Sequence, residues 1–409
     1  MDILPILSTL RRHKITASLI VLEIALTCAI VCNAVFLISQ RLHRMDMPSG
    51  VAMHQLVQVQ VSTIGAQPDA RAQTQEDLAA LRRIPGVQAV TLVSQVPFTN
   101  SSSNSSIELS PTQTQPTLNA TLYFGEDLPQ TFGARLVAGR YFSPDEYLGF
   151  ETANKDPGAI PRSSLITVIT SALAQRLWPG ENPLGKTLYL GNFLPIRVVG
   201  VVASLIRPSL YWGDDSAQWS MILPLRMAVG QGNSYVLRTA PENRQRAIKA
   251  AVAALKKLDP KRVITQQRTL DDARAQFFQG DRAMTGLLVG VIVALLLVTG
   301  LGIVGLASFW VAQRRRTIGV RRALGATRAD ILHYFQTENF LLATIGIVLG
   351  MVLAYGLSLL LMTHYEVPRL PWFYLPVGAI ALWLIGQSAV LGPALKAAAV
   401  PPVVATRTV

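Results

Sequence analysis

Three sets of residues in this chain have types and spacing that could do chemistry. The first is Gly180-Glu-Asn-Pro-Leu-Gly185-Lys186-Thr187, which matches the phosphate loop G-x-x-x-x-G-K-[ST]. That loop works after a strand and at the start of a helix, where amides and helix dipole meet phosphate. Here the order is reversed: Ser171–Leu177 reads as a helix before it, and Thr187–Leu190 and Ile196–Val202 read as strands after it. The residues are those of a Gly/Pro/Asn turn entering a β-hairpin. The second, Gly300-Leu-Gly302-Ile-Val-Gly305, matches G-x-G-x-x-G but lies inside an apolar run, with no acidic residue about 20 positions on. Glycines there let helices approach closely, as do the G-x-x-x-G pairs Gly286/Gly290 and Gly346/Gly350. The third set is polar groups within an apolar run. Glu23 is a lone intramembrane carboxylate, a functional candidate or a hydrogen-bonded partner in a bundle, and Asn33 is a candidate polar contact. Cys28 and Cys32 are helix neighbours whose geometry does not suit a disulfide. The five histidines, at 13, 43, 54, 333 and 364, lack metal-ligand spacing. No Ser/His/Asp set, H-E-x-x-H or paired-carboxylate pattern is visible, so we expect no catalytic residue and no metal site.

The elements that position these groups are membrane helices. Half of the 409 residues are hydrophobic and 15% are charged, against about 25% charged in soluble proteins. Four runs meet or nearly meet the length a bilayer demands: 15–39, 284–311, 340–362 and 374–391. The first is too long for a signal-peptide core. Orientation follows Lys and Arg in short flanks. Arg11, Arg12 and Lys14 precede the first run, and Arg314, Arg315, Arg316, Arg321, Arg322 and Arg328 follow the second. We therefore expect a cytoplasmic segment 1–14, an outer segment 40–283, a cytoplasmic elbow 312–339, an outer loop 363–373 and a cytoplasmic tail 392–409. Arg41 and Arg44 weigh weakly against that orientation. Trp372, Phe373 and Tyr374 fit an interfacial aromatic belt. Of the net charge of +13, residues 40–283 carry +6 (25 Lys+Arg, 19 Asp+Glu) and the short segments beside the apolar runs carry the remaining +7, and no basic stripe with interleaved aromatics suggests nucleic acid.

Residues 40–283 read as mixed α/β. Strands are expected at Leu56–Val61, Val87–Val93, Ser164–Thr170, Ser234–Thr239 and Arg262–Gln267, and helices at Gln75–Ile84, Ser171–Leu177 and Glu242–Leu258. Ser101–Ser106 reads as a low-complexity loop. Leu270–Arg282 reads as a helical stalk running straight into the second span. The elbow reads as a short basic surface helix, Arg314–Leu324, ended by Gly325 in the left-handed conformation. Thr327 then caps the next helix with Asp330 three residues on.

Ile318-Gly-Val-Arg-Arg-Ala-Leu-Gly-Ala326 resembles the R-E-I-G-I-R-R-A-L-G-A signature of MacB/FtsX-type ABC-transporter permeases. Leu173-Ala-Gln-Arg-Leu-Trp-Pro-Gly-Glu-Asn-Pro-Leu-Gly-Lys186 resembles a piece of the MacB periplasmic core, and Pro393-Ala-Leu-Lys-Ala-Ala-Ala-Val-Pro-Pro402 the family's tail. The layout of one span, a large domain and three spans covers the whole chain. Two positions depart from the pattern: Thr317 and Gln313 stand where the family usually has acids.

The resemblance implies a permease subunit of the bacterial inner membrane, with both termini cytoplasmic and the outer segment and loop periplasmic. ATP and Mg would be used by a separate ABC ATPase subunit, since MacB proper carries an ATPase domain for which no room is expected before residue 15. It also implies a homodimer or a heterodimer with a related permease, and it allows a periplasmic adaptor and an outer-membrane channel. Arg316, Ile318, Gly319, Arg321, Arg322, Ala323, Gly325 and Ala326 would carry the coupling to the ATPase. ATP-driven motion would reach the periplasmic domain by mechanotransmission, for efflux or export. Two rivals remain at this point: an FtsX-like regulator of a cell-wall hydrolase or kinase, and a membrane-anchored enzyme with a hidden site.

Overall fold

The computed structural model describes residues 14–63, 69–100, 102–151, 165–191, 194–210, 215–230, 233–365 and 369–399. Arg11, Arg12, His13 and the end of the 393–402 stretch lie outside them. The chain divides into two compact units, Met1–Met45 with Gly280–Val409 and Asp46–Gln279. It enters through helix α1 (Lys14–Asp46) and forms β1 (Leu56–Ser62), α2 (Ala70–Arg82) and β2 (Val87–Val93). A long excursion follows: β3 (Asn104–Glu108), β4 (Leu118–Phe124), α3 (Leu128–Phe132), β5 (Leu136–Gly139), β6 (Leu148–Gly149), β7 (Ile166–Thr170), α4 (Ser171–Leu177), β8 (Thr187–Leu190), β9 (Leu194–Val202), β10 (Ser220–Leu223) and β11 (Leu225–Arg226). The chain returns as β12 (Ser234–Thr239), α5 (Arg244–Leu258), β13 (Val263–Thr269) and α6 (Leu270–Phe277).

The first and last of these elements make one antiparallel sheet in the order β13-β1-β12-β2. This is the split βαβ arrangement, two βαβ units interleaved. Alternate residues Val57, Val59, Val61, Val90, Leu92, Tyr235 and Leu237 pack against Leu78 and Leu81 of α2 and Ile248, Ala251 and Leu255 of α5. Strand period 2 meets helix spacing i, i+3, i+7 here, which is why both kinds of element were visible in the sequence. At the sheet's end, Val57 pairs with Thr269, so the unit's first and last strands start and finish side by side.

The excursion is a second sheet that closes on itself. β8 pairs with both β3 and β9, so β9, β7, β10, β4, β3 and β8 form a closed ring, and β5 adds to the rest of β9. Closure leaves no open edge in the ring. Ile107, Ala120, Leu122, Ile169, Leu188, Ile196, Val198 and Met221 pack together with Leu173 and Leu177 of α4.

Two expectations are corrected. Of the expected loop at 101–106, residues 104–106 belong to β3, and Ser101 lies outside the described residues. Backbone pairing to β4 needs no apolar side chain on the outer face, and Asn104 is occupied by Thr121 and Arg207. The expected continuous stalk at 270–282 is broken at Phe278, between α6 and the next helix. Phe277 and Phe278 both contact the ring of Phe98, at 5.9 and 5.8 Å between centroids. Successive residues of a straight helix do not share a face. Phe98 itself is buried with φ of +63°, a strained conformation for a bulky residue.

The membrane unit is completed by α7 (Gln279–Gln313), α8 (Arg315–Ala323), α9 (Arg328–Tyr365) and α10 (Leu375–Ala398). α1, α7, α9 and α10 are each long and apolar enough to cross a membrane. α1 is central: Ile20, Ile24, Cys28, Cys32 and Phe36 lie in one core with residues of the other three. The close approach needs glycine. A Cβ on Gly346 would lie 2.8 Å from Ile24 Cβ, and one on Gly350 2.5 Å from Cys28 Cβ.

Candidate functional site: the elbow and the ends of the second span

The elbow is built from a stop, a turn and a restart. Arg314 interrupts the helix between α7 and α8. Its guanidinium donates to both carboxylate oxygens of Glu338 on α9, at 3.1 and 2.9 Å, and lies over the Trp310 ring. Glu338 is buried, so this charge is taken out of water and compensated in place. Ile318 and Gly319 turn into the bundle. Arg321 lies 4.9 Å from the Tyr334 ring, and Arg322 donates to the Ala398 carbonyl at the end of α10, at 3.0 Å. Gly325 has φ of +99°, and a Cβ added there would meet nothing within 4 Å, so it is glycine for its backbone and not for closeness. The restart is a reciprocal capping box. Thr327 Oγ1 donates to Asp330 at 2.6 Å, and the Asp330 amide donates back at 3.2 Å. The Thr327 hydroxyl and amide hold the Asp330 carboxyl below the usual range. Ala326 packs on the bundle, while Arg316, Val320, Ala323 and Leu324 face out. Leu324 is 84% exposed, an unusual position for that side chain next to a fixed turn.

The far end of α7 has its own fastening. Arg41 and Arg44 of α1 reach Asp281, at 2.5 and 3.4 Å, and Asp281 is buried. Within the bundle, Glu23 lies against Gly302: a Cβ there would meet its carboxylate oxygens at 2.8 Å. Thr27 and Thr299 share a hydrogen bond of 2.9 Å one turn away. Asn33 donates to the carbonyls of Ala29 and Ala354. Gly346 and Gly350 pack on α1, but Gly286 and Gly290 meet nothing within 4 Å. Within this single chain their face of α7 is bare.

The phosphate-loop match is a turn. Gly180 and Gly185 have positive φ, and the Gly185 amide donates to Val198. Lys186 pairs with Glu181 and lies over Trp178. α4 precedes the loop and β8 follows it, so no helix N-terminus faces it.

Sequence reasoning missed Glu338 and Asp281. Glu338 did carry a signal, as the lone carboxylate between Asp330 and the end of α9. Asp281 carried none, since its partners Arg41 and Arg44 stand at the other end of the outer domain in the chain, Arg41 being 240 residues earlier.

Residues 18–255 match the family model of the MacB-like periplasmic core domain, and residues 289–402 that of the FtsX-like permease C-terminal region. The pyoverdine export ATP-binding/permease protein PvdT of Pseudomonas putida is 32% identical over 255 residues, covering 59% of this chain and 38% of that protein. The macrolide export ATP-binding/permease protein MacB of Bordetella avium is 30% identical over 242 residues, covering 58% and 34%. The chain thus spans about two fifths or less of the length of these two relatives. The ABC transporter permease YknZ of Bacillus subtilis is 23% identical, covering 84% of this chain and 82% of its own length. The crystal structure of the periplasmic region of MacB from Actinobacillus actinomycetemcomitans aligns at 19% identity with a TM-score of 0.35, covering 56% of this chain and 94% of that one. With four membrane helices flanking one extracytoplasmic α/β domain, the chain belongs to the MacB/FtsX-type ABC-transporter permeases.

Proposed function

We propose that this chain is the permease subunit of an ABC transporter, and that it carries motion from a separate ATPase to its extracytoplasmic domain. The elbow carries the reading. It is fixed to the bundle by Arg314–Glu338 and by Arg322, and it presents Val320 and Leu324 outward. A rigid lever with an exposed apolar tip is suited to receive force from another protein. In this reading the elbow and both termini are cytoplasmic, as the arginines around 314–328 favour, and the membrane is the bacterial inner membrane. Efflux or export is the direction that the printed names of PvdT and MacB support. ATP and Mg are used by the partner. A second permease copy, identical or related, covers the bare face of α7 at Gly286 and Gly290.

The test is reconstitution with the co-expressed ATPase. Gly325→Val removes the left-handed turn, and Arg321→Glu removes the contact on Tyr334. Both variants should insert normally yet lose the link between ATP hydrolysis and transport. Full coupling in both would sink the reading. Stable association with a cell-wall hydrolase or a histidine kinase, with no export, would move the chain to the regulatory alternative.

A further inference from the structure

We infer that the outer domain binds a small zwitterion with one apolar side chain, of the α-amino acid class, in the cleft where the split sheet meets the excursion. The site uses neither the elbow nor the ATPase. The cleft has a volume of about 150 Å³, enough for a group the size of a benzene ring. One wall comes from the split sheet and its helix, with Arg71, Thr74, Gln75 and Leu78 of α2 and Leu92 of β2. Positions 71, 74, 75 and 78 share one helix face. The other wall comes from the excursion, with Glu126 after β4, Phe150 and Glu151 after β6, and Arg226 and Met227 at the end of β11. Clefts where two substructures meet are a preferred place for small ligands.

Each wall offers one sign of charge. On the excursion side Arg226 is already engaged. It donates to Glu126 at 3.0 Å and to the carbonyls of Tyr147 and Pro144 at 3.0 and 2.9 Å, and it lies over the Tyr147 ring. This fixes the Glu126 carboxylate and leaves its second oxygen without a hydrogen bond among the described residues. Glu151 is exposed and makes no ion pair among the described residues. On the α2 side Arg71 is exposed and likewise makes none, with Gln75 one turn on. Two arginines and two glutamates make the lining neutral overall. A neutral lining with its signs separated matches a ligand of the same kind, and a simple anion or cation meets one repelling wall. The ligand's carboxylate goes to Arg71, whose guanidinium fits it in two places. Its ammonium goes to Glu126 and Glu151. Leu78, Leu92, Phe150 and Met227 take its apolar side chain. The turn after Glu126 agrees with a binding role: Asp127 has φ of +55°, and left-handed residues other than glycine gather at ligand clamps. Such a ligand touches α2 and the excursion at once, so binding it fastens one to the other.

The experiment uses the full-length chain in lipid nanodiscs, titrated calorimetrically with L-phenylalanine, L-leucine and L-methionine. At least one should bind saturably. The tightest is then compared with its N-acetyl derivative, which lacks the ammonium, and its amide, which lacks the carboxylate. Each derivative should bind about tenfold more weakly. Arg71→Gln should weaken the amino acid by about tenfold and leave the amide unchanged. Glu126→Gln with Glu151→Gln should weaken the amino acid similarly and leave the N-acetyl derivative unchanged. A glutamine oxygen at position 126 still accepts from Arg226, so thermal unfolding without ligand should match the wild type in both variants. No saturable binding of any of the three amino acids overturns the inference. Equal binding of the amino acid and both derivatives marks an apolar pocket alone and also overturns it, as does dependence on only one charged end. Full affinity in both variants puts the ligand elsewhere and overturns the site.

Discussion

The first and second membrane helices differ in how they are held. In α1, 61% of the most apolar stretch is buried within the chain; in α7 the figure is 11%. In α1 the polar and small residues turn inward, with Thr27, Cys28, Cys32 and Asn33 all buried, whereas Gly286 and Gly290 of α7 are exposed. Between Asp281 and Thr299, α7 has no buried residue. It is held near its ends instead, by Asp281 at one and by Thr299, Gly302 and Arg314 towards the other. In a bilayer, lipid competes equally for apolar side chains, so packing follows small and polar residues more than apolar ones. The bare helix is therefore the one free to shift or to meet a second chain.

Five substitutions break or sharpen that contrast. The largest effect is expected at the fastening of the elbow. Glu338→Ala leaves Arg314 uncompensated in a mostly buried site and should cost about 3–5 kcal/mol, read as lower thermal stability of the membrane unit. Next is Asp281→Asn, which removes a charge shared by Arg41 and Arg44; a loss of about 1.5–3 kcal/mol is expected, with proteolysis near residue 280 as the readout. Gly350→Val places carbon where α1 already stands and should cost about 1–3 kcal/mol, seen as poor recovery of folded protein in detergent. Thr299→Val removes one hydroxyl pair and should cost only about 0.6 kcal/mol. Gly290→Ala should leave the monomer unchanged within about 0.5 kcal/mol. If Gly290→Ala instead destabilises the isolated monomer as much as Gly350→Val, the contrast between the two helices fails. A loss seen only in the assembled transporter would locate a neighbour on that face.

Much of the frame was readable from residue patterns. The four apolar runs lie within α1, α7, α9 and α10, save Tyr374, which caps α10, and the Gly325 turn and Thr327–Asp330 box stand where stop and start signals predict. The closed β-ring was harder to see. β7 is read as a strand from Ser164–Thr170, but β10 is buried on both faces, so Ser220–Leu223 shows no alternation, and short apolar runs do not declare their type. β3 looked like a loop because its side chains are mostly polar. The ion pairs were least readable. A sequence shows that Arg314 is basic but not that Glu338, 24 residues on, will be its acceptor. The bare face of α7 was unreadable for the opposite reason, since Gly286/Gly290 and Gly346/Gly350 have the same spacing and opposite surroundings.

The pairing of Val57 with Thr269 has a mechanical consequence. The chain enters the outer domain just before β1 and leaves it just after β13, and these strands are antiparallel neighbours. Pulling the two connections apart would load their ladder as a zipper, one hydrogen bond at a time, while pulling along the strands would load many bonds together in shear. The staple at the mouth of this zipper is Asp271, which accepts from both Arg244 and His54. Burial alone would raise its carboxyl, but those two partners outweigh it and hold it below the usual range. The staple's contribution is therefore full above the unfolded carboxylate pKa and fades as pH falls through the lowered one. Tension between the connections would meet its first resistance at this residue.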